Sequence, residues 1–194
     1  MTKGKKTSIM FVCSLEAPFF VRSEPDRRTY KHTPWGALCL EWSRENKMLL
    51  SLTFVDKPLP EDAFSGLWEK ELFALLQRSP LRLGAEATVF QMRVWRAAMR
   101  IPPGKTVTYG ELAAKLGQPA ASRAVGRALA LNPYALLIPC HRVVPASGGT
   151  GEYRWRADRK EAILQAEREG EGAWETVLGD GNRSRSSIRL SSVA

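Results

Sequence analysis

The sequence predicts an α+β fold, in which a small antiparallel β-sheet with one helix comes first and a helical half follows. Three observations favour this order: paired apolar runs within residues 36–54, an amphipathic helix pattern over 64–76, and a series of capped helix patterns after residue 88. The chain has 194 residues, enough for two small domains. We expect these domains at 1–85 and 86–175, with residues 176–194 forming a disordered tail.

The first half shows the pattern of a β-hairpin. Gly36–Trp42 and Met48–Phe54 are short apolar runs that flank a five-residue polar loop. Apolar side chains at helical spacing then predict a helix that ends at Pro80. The segment 82–86 has the composition of a linker, and residues 1–32 form an extension without a clear pattern.

The second half begins with a helix for which Thr88 is the predicted N-cap, and which stops before Pro102-Pro103-Gly104. Thr108 and Glu111 then match a capping box, which satisfies two backbone donors at a helix start. That helix stops at Gly117, a typical residue after a helix C-terminus.

A second short helix over 120–131 follows a tight turn, so the pair predicts a helix-turn-helix of the winged-helix type. An αα-hairpin packed in a core is the alternative. A last helix is expected to start near Asp158, with Asp158 and Glu161 as a capping pair, and to run to about Glu169.

Positive charge is concentrated in one block of the chain. Residues 86–160 carry 12 basic and 4 acidic side chains, a net charge of +8, whereas the whole chain has +9. A polyanionic partner such as nucleic acid explains this concentration, and a solvated basic surface is the alternative.

Composition indicates an intracellular globular protein. The chain is 44% hydrophobic and 25% charged, and it contains no apolar run long enough to span a bilayer. The first 20 residues make a poor signal peptide. Three cysteines without CxxC spacing fit a reducing compartment. We expect the cytoplasm in a prokaryote or the nucleus in a eukaryote.

Ile138–Val144, which reads Ile-Pro-Cys-His-Arg-Val-Val, is the segment most suggestive of chemistry. A cysteine is a strong nucleophile as the thiolate, which neighbouring cations or a hydrogen-bonded base favour. Cys140 is followed directly by His141 and Arg142. Adjacent side chains on an extended segment point in opposite directions, so a relay between Cys140 and His141 needs a bridging water or a curled backbone. A buried structural cysteine is the alternative.

Ile138–Val144 resembles the active-site motif of the O6-alkylguanine-DNA alkyltransferases, and further blocks of that family occur in the same order. The resemblance covers about residues 86–169, and it extends weakly over 33–60. The additional matching blocks are Val89–Trp95, Ile101–Tyr109, Ser122–Gly126 and Asn132-Pro133.

The resemblance implies a single-turnover repair reaction. An alkyl group on O6 of guanine, or on O4 of thymine, moves irreversibly to the thiolate of Cys140. His141 accepts the thiol proton through a water, Glu167 orients His141, and Asn132 braces the turn before the active-site loop. No cofactor and no metal is implied, and the sequence contains no glycine-rich cofactor fingerprint.

The resemblance also implies a partner: double-stranded DNA that contains O6-alkylguanine, bound by a monomer through the minor groove, with no membrane involved. The base must leave the stack to reach the thiol. Arg123 would fill the gap, and Tyr109 would push the target phosphate and protonate the base. The remaining contacts would come from small and basic residues of the second helix and from two loop segments, namely Ser122, Ala124, Arg127, Val143, Arg154 and Trp155. Ala121 and Ala128 would also suit the narrow groove.

One segment departs from the family pattern. Gly151–Ala157 reads Gly-Glu-Tyr-Arg-Trp-Arg-Ala, so Glu152 and Arg156 stand where the family leads us to expect glycine. We expect Trp155 to narrow the pocket and to disfavour bulky alkyl groups.

Two other functions and one metal site compete with this interpretation. A non-catalytic lesion sensor of the alkyltransferase-like type would lack the motif cysteine, which this chain keeps as Cys140. A helix-turn-helix transcription regulator would leave Pro-Cys-His-Arg unexplained. Cys13, His32 and Cys39 have the residue types of zinc ligands, but their spacing matches no standard zinc pattern, so no metal is expected.

Overall fold

The computed structural model describes residues 8–12, 25, 27–43, 48–57, 59 and 82–169. The predicted helix over 64–76, the tail 176–194 and Cys13 lie outside the described residues.

The first half contains a five-stranded sheet. Its strands are β1 (Ser8–Val12), β2 (Arg27–Thr33), β3 (Gly36–Ser43), β4 (Met48–Val55) and β5 (Arg82–Glu86). They lie in the order β1-β5-β4-β3-β2, and every neighbouring pair is antiparallel except β4 with β5. In the β3–β4 pair Leu40 lies opposite Leu52. The predicted hairpin and the α+β class are therefore confirmed.

The prediction of a linker at 82–86 was wrong. This segment is strand β5, which pairs along its whole length with β1 and meets β4 where Leu49 lies opposite Leu83. It has only five residues, none of them β-branched or aromatic, so its strand structure depends on partners that are distant in the chain.

The second half is helical. It contains α1 (Val89–Met99), β6 (Val107–Thr108), α2 (Tyr109–Lys115), α3 (Ser122–Ala130), β7 (Val143–Val144) and α4 (Ala157–Arg168), with short 3₁₀ turns at Pro119–Ala121 and Cys140–Arg142. The capping box of Thr108 with Glu111 is present, and Thr88 forms another with Gln91. Helices α2 and α3 form the predicted helix-turn-helix. Within the described ranges, no helix has both the length and the apolar character needed to cross a bilayer.

The predicted capping pair of the last helix was wrong. Helix α4 begins at Ala157, and its N-cap position is Arg156, which makes no side-chain cap bond. Asp158 lies inside the first turn, where its carboxylate binds the Arg156 guanidinium at 2.8 Å. An acidic side chain in the first turn favours a helix start through the helix dipole, so a residue near the terminus resembled a cap.

One continuous apolar core joins the two halves. Leu38, Leu40 and Trp42 point from β3 into the same buried cluster as Trp95 of α1 and Ile163 of α4. The alternation along β3 places its apolar side chains on one face. The sheet therefore packs directly against the helical half.

Candidate active site

The segment Asn132–Arg142, here called the nucleophile loop, holds Cys140 through the side chain of Asn132. The Asn132 amide nitrogen donates to Cys140 Sγ at 3.2 Å and to the Ile138 carbonyl at 2.9 Å. Its amide oxygen accepts from the backbone N–H of Tyr134 at 2.8 Å. Cys140–Arg142 form a 3₁₀ turn, so the backbone at the cysteine is curled.

Cys140 is buried, and its surroundings act on the thiol in opposite directions. Burial raises the pKa of the Cys140 thiol above its ordinary value, whereas the Asn132 hydrogen bond and the positive charges of Lys160 and Arg154 lower it. Burial is the largest effect, so the resting group at neutral pH is the thiol. Attack by sulfur therefore requires a proton acceptor.

His141 and Glu167 form a buried pair beside the thiol. His141 Nε2 lies 3.0 Å from Glu167 Oε1, and both side chains are shielded from solvent. Burial lowers the pKa of His141, so the ring is neutral, and its Nε2–H is assigned as the donor to Glu167 because the carboxylate must accept. Within the described residues, Nδ1 of His141 has no hydrogen-bond partner. That nitrogen is free to accept a proton.

Glu167 is kept ionised by donors from three residues. Arg142 donates to Oε1 from Nη2 at 2.6 Å and to Oε2 from Nε at 3.0 Å, and the Gly104 N–H donates to Oε2 at 3.1 Å. Burial favours the protonated acid, but the hydrogen bonds from His141 and Arg142 prevail and lower the pKa of Glu167 to about 2. A carboxylate held in this way stabilises an imidazolium on His141.

Two buried residues beside the thiol were missed in the sequence. Lys160 is buried and donates from Nζ to the Val143 carbonyl at 2.8 Å, and burial lowers its pKa to about 8. Burial also raises the pKa of Tyr153 well above its ordinary value, and the negative charge of Cys140 raises it further. Lys160 sits in the run Asp158–Glu161, which resembles an exposed charged face, so no sequence pattern marked it.

Tyr109 lies at the start of α2, and a short parallel pairing brings it to the site. Val107 of β6 lies opposite Val143 of β7, directly after the nucleophile loop. Tyr109 is half-buried, and its pKa is raised by burial and by the charge of Cys140. The structure therefore brings together Cys140, His141, Glu167, Asn132, Tyr109 and the backbone of Val143.

Helix α3 presents a small basic face to solvent. Arg123, Ala124 and Arg127 are exposed, and Ser122 is half-buried. Ala128 is buried instead, and its carbonyl accepts the Trp95 indole N–H at 2.8 Å. The expectation that Ala128 faces the groove was wrong, because the helix turns this position toward α1.

The segment Gly151–Ala157, here called the pocket loop, has positive φ angles at two positions, and only one of these two residues is a glycine. Arg156 has φ +79°, a backbone conformation that residues other than glycine rarely adopt. Gly151 has φ +69°, and a Cβ there would lie 2.6 Å from the Pro145 ring. Trp155 is buried with its ring centroid 5.3 Å from that of Tyr153, and Arg154 donates to the Asn132 carbonyl at 3.1 Å.

The described residues contain no group of three His, Cys, Asp or Glu side chains placed to hold a metal ion. Cys39 is buried in β3, and Cys13 lies outside the described residues.

The fold and the site define a class: a protein with a buried cysteine beside a buried His–Glu pair, attached to a helix-turn-helix. A family model described as the DNA-binding domain of 6-O-methylguanine DNA methyltransferase matches residues 89–169.

A methylated-DNA–protein-cysteine methyltransferase of Mycobacterium leprae is 48% identical over 148 residues, which cover 70% of this chain and 88% of the relative. One of Mycolicibacterium paratuberculosis is 48% identical over 88 residues, which cover 45% of this chain and 53% of the relative. The chain thus matches about half the length of several curated relatives.

Solved structures extend the likeness to the N-terminal half. The crystal structure of Mycobacterium tuberculosis OGT in complex with DNA has a TM-score of 0.58 and 33% identity to this chain. The match covers 78% of this chain and 99% of that one. The chain therefore belongs to the methyltransferase family, and the family resemblance found in the sequence is confirmed.

Proposed function

We propose that the protein repairs alkylated DNA by moving a methyl group from O6 of guanine to Cys140. The observation that carries this proposal is the buried Cys140 thiol in a 3₁₀ turn beside a neutral His141 whose Nδ1 is open and whose Nε2 binds Glu167. Membership of the methyltransferase family supplies the substrate class.

The proposed step is a direct displacement at the methyl carbon. Cys140 Sγ attacks the methyl carbon, a carbon–sulfur bond forms, and the bond from that carbon to O6 breaks. The thiol proton passes to Nδ1 of His141 through a water, and Tyr109 protonates the leaving guanine. A thioether is a poor leaving group, so each protein molecule acts once.

DNA would approach the exposed face of α3 through its minor groove. The proposed role of Arg123 is to fill the space left by the flipped base, Ala124 permits close approach, and Arg127 and Ser122 contact the backbone. The main chain at Val143 and Arg154 would contact the edge of the flipped base, beside Trp155. We propose that the protein acts as a monomer on double-stranded DNA.

Intact-mass measurement after incubation with an O6-methylguanine oligonucleotide tests the reaction. We expect one addition of about 14 Da, the mass of CH₂, confined to the peptide that contains Cys140. Cys140→Ala should abolish the addition and retain DNA binding, whereas Cys39→Ala should leave it intact. Repeated turnover, or methyl on another residue, contradicts the proposal, and lesion binding without any addition would instead indicate a sensor.

A further inference from the structure

Tyr134 connects the nucleophile loop to the N-terminal sheet. Its side chain is fully buried, and its hydroxyl donates to the Leu49 carbonyl of β4 at 3.1 Å. These two residues are 85 positions apart in the chain. The phenol of Tyr134 therefore holds the loop at a fixed place on a strand of the other half.

Backbone hydrogen bonds reinforce this attachment on both sides of Tyr134. The Leu52 N–H donates to the Pro133 carbonyl at 2.9 Å, and the Ala135 N–H donates to the Leu52 carbonyl at 2.7 Å. The loop thus forms a short parallel bridge with β4, in which Tyr134 lies opposite Leu52. The acceptor Leu49 lies next to a bulge, because Glu41 and Trp42 of β3 lie opposite Ser51 and Leu49 of β4, which leaves Leu50 without a partner in β3.

On its other side, Tyr134 fixes the amide that holds the thiol. Its N–H donates to Asn132 Oδ1 at 2.8 Å, and its carbonyl accepts from Asn132 Nδ2 at 3.1 Å. The Ile138 N–H also donates to the Tyr134 carbonyl at 3.1 Å. The same Asn132 nitrogen donates to Cys140 Sγ. A continuous set of hydrogen bonds therefore runs from β4 through Tyr134 and Asn132 to the sulfur.

We propose that Tyr134 is a positioning residue for the nucleophile: its hydroxyl, bound to Leu49, keeps the Asn132 amide directed at Cys140 Sγ. The proposal rests on the proposed function for its effect on repair. Tyr134 does not touch the reacting atoms. It acts through Asn132, and the N-terminal sheet thereby takes part in setting the reactivity of the thiol.

Tyr134→Phe in the full chain tests this role, because it removes one hydroxyl and keeps the ring. A hydrogen bond to sulfur favours the thiolate, so a displaced Asn132 amide should move the thiol titration to higher pH. We expect the pH midpoint of Cys140 alkylation by iodoacetamide to rise, and methyl transfer from DNA to slow about tenfold, since small displacements of reacting groups are costly. The iodoacetamide arm uses no DNA, so it remains decisive even if methyl transfer is not the activity.

Two comparisons separate positioning from loss of stability. Leu38→Val, a core change in β3 that removes no hydrogen bond of the loop, should lower the melting temperature without moving the titration. In an Asn132→Ala background, Tyr134→Phe should produce no further shift of the titration, because the two residues act in series. A shift of equal size in both backgrounds, or a titration that matches the Leu38→Val protein, would overturn the proposal.

If Tyr134→Phe does not fold by circular dichroism, 3-fluorotyrosine at position 134 replaces it. Fluorine makes the phenol a stronger donor and keeps the hydroxyl in place. The iodoacetamide midpoint should then stay or move to lower pH, and a rise would count against the proposal.

Discussion

Glu167 controls its neighbourhood because its charge is held in a site closed to water. Arg142, His141 and the Gly104 N–H all bind the same carboxylate. Removing that charge would leave the buried Arg142 guanidinium without a counter-ion, which costs more than the lost attraction alone. One carboxylate therefore serves both the stability of α4 and the basicity of His141.

Glu167→Gln should destabilise the protein at neutral pH by about 3 kcal/mol, because it breaks a buried ion pair. The pKa of Glu167 is lowered from its ordinary value of 4.5 to about 2, so its contribution is complete above pH 4.5 and is lost as the pH falls toward 2. Urea unfolding from pH 7 to pH 2 should show that the free energy of unfolding of the wild type approaches that of Glu167→Gln as the pH falls from 4.5 to 2. Glu161→Gln, an exposed change in the same helix, is the control, and its free energy of unfolding should follow that of the wild type at every pH. A difference between the wild type and Glu167→Gln that stays constant from pH 7 to pH 2 would contradict this account.

Trp155 is buried between the two halves, with ring contacts to Tyr153 at 5.3 Å and to Phe54 of β4 at 6.3 Å. Tyr153 in turn is near enough to Cys140 for a charge on that residue to raise the pKa of the tyrosine. We expect methyl to react faster than benzyl by about tenfold or more, because a misfit near 1 Å is costly at the transition state. Rate constants for O6-methylguanine and O6-benzylguanine test this, and Trp155→Gly should reduce the ratio while Trp155→Phe largely preserves it. An unchanged ratio in Trp155→Gly would show that the indole does not limit the pocket.

At the scale of elements, local patterns were predicted well and long-range pairings were not. The N-cap at Thr88 and the capping box at Thr108 depend on residues at most three positions apart, so the sequence could predict them. The same spacing at Asp158 and Glu161 gave a wrong prediction, because α4 starts one residue before Asp158, with Arg156 at its N-cap position. Strand β5 depends on pairing with β1, about 75 positions earlier in the chain, and its five residues include no β-branched or aromatic side chain that would mark a strand. Lys160 was missed for a related reason, since its burial depends on the loop that packs over it.

The junction between the pocket loop and α4 shows how an element can tolerate an unfavourable residue. Arg156 adopts φ +79°, and its guanidinium binds Asp158 on the surface. Exposed ion pairs contribute little, so this bond does not offset the backbone strain. The conformation persists because Trp155 and Lys160 on either side are buried.

Arg156→Gly should therefore raise the free energy of unfolding by about 0.5–1 kcal/mol, since glycine adopts a positive φ without steric cost. Arg156→Ala is the matched control, because it removes the same ion pair and keeps the strain. Chemical denaturation of the two variants isolates the backbone contribution. Equal stabilities for the glycine and alanine variants would show that Arg156 is not strained.

At the scale of the whole molecule, the basic block divides into an internal and an external part. Arg142, Lys160 and Arg159 have side chains largely or fully shielded from solvent. Arg159 donates to the carbonyls of Trp35 and Trp155 and binds Asp56 at 2.7 Å, so it joins α4 to the sheet. Sequence charge alone does not separate these structural cations from Arg123 and Arg127, which face solvent. The surface available to a polyanion is therefore less basic than the net charge of residues 86–160 suggests.

Arg123 and Arg127 lie one turn apart on the exposed face of α3, yet we expect them to differ in effect. Phosphate contacts supply salt-dependent affinity, so Arg127→Ala should weaken duplex binding and reduce the slope of log affinity against log salt by about 1. Arg123→Ala should slow methyl transfer from duplex DNA by about tenfold more than transfer from the free base, because only the duplex requires a flipped nucleotide to be stabilised. Single-turnover rates with both substrates, measured at fixed salt, separate the two roles. If Arg123→Ala slows both substrates equally, Arg123 acts on the folded site itself, and the base-flipping role assigned to α3 is wrong.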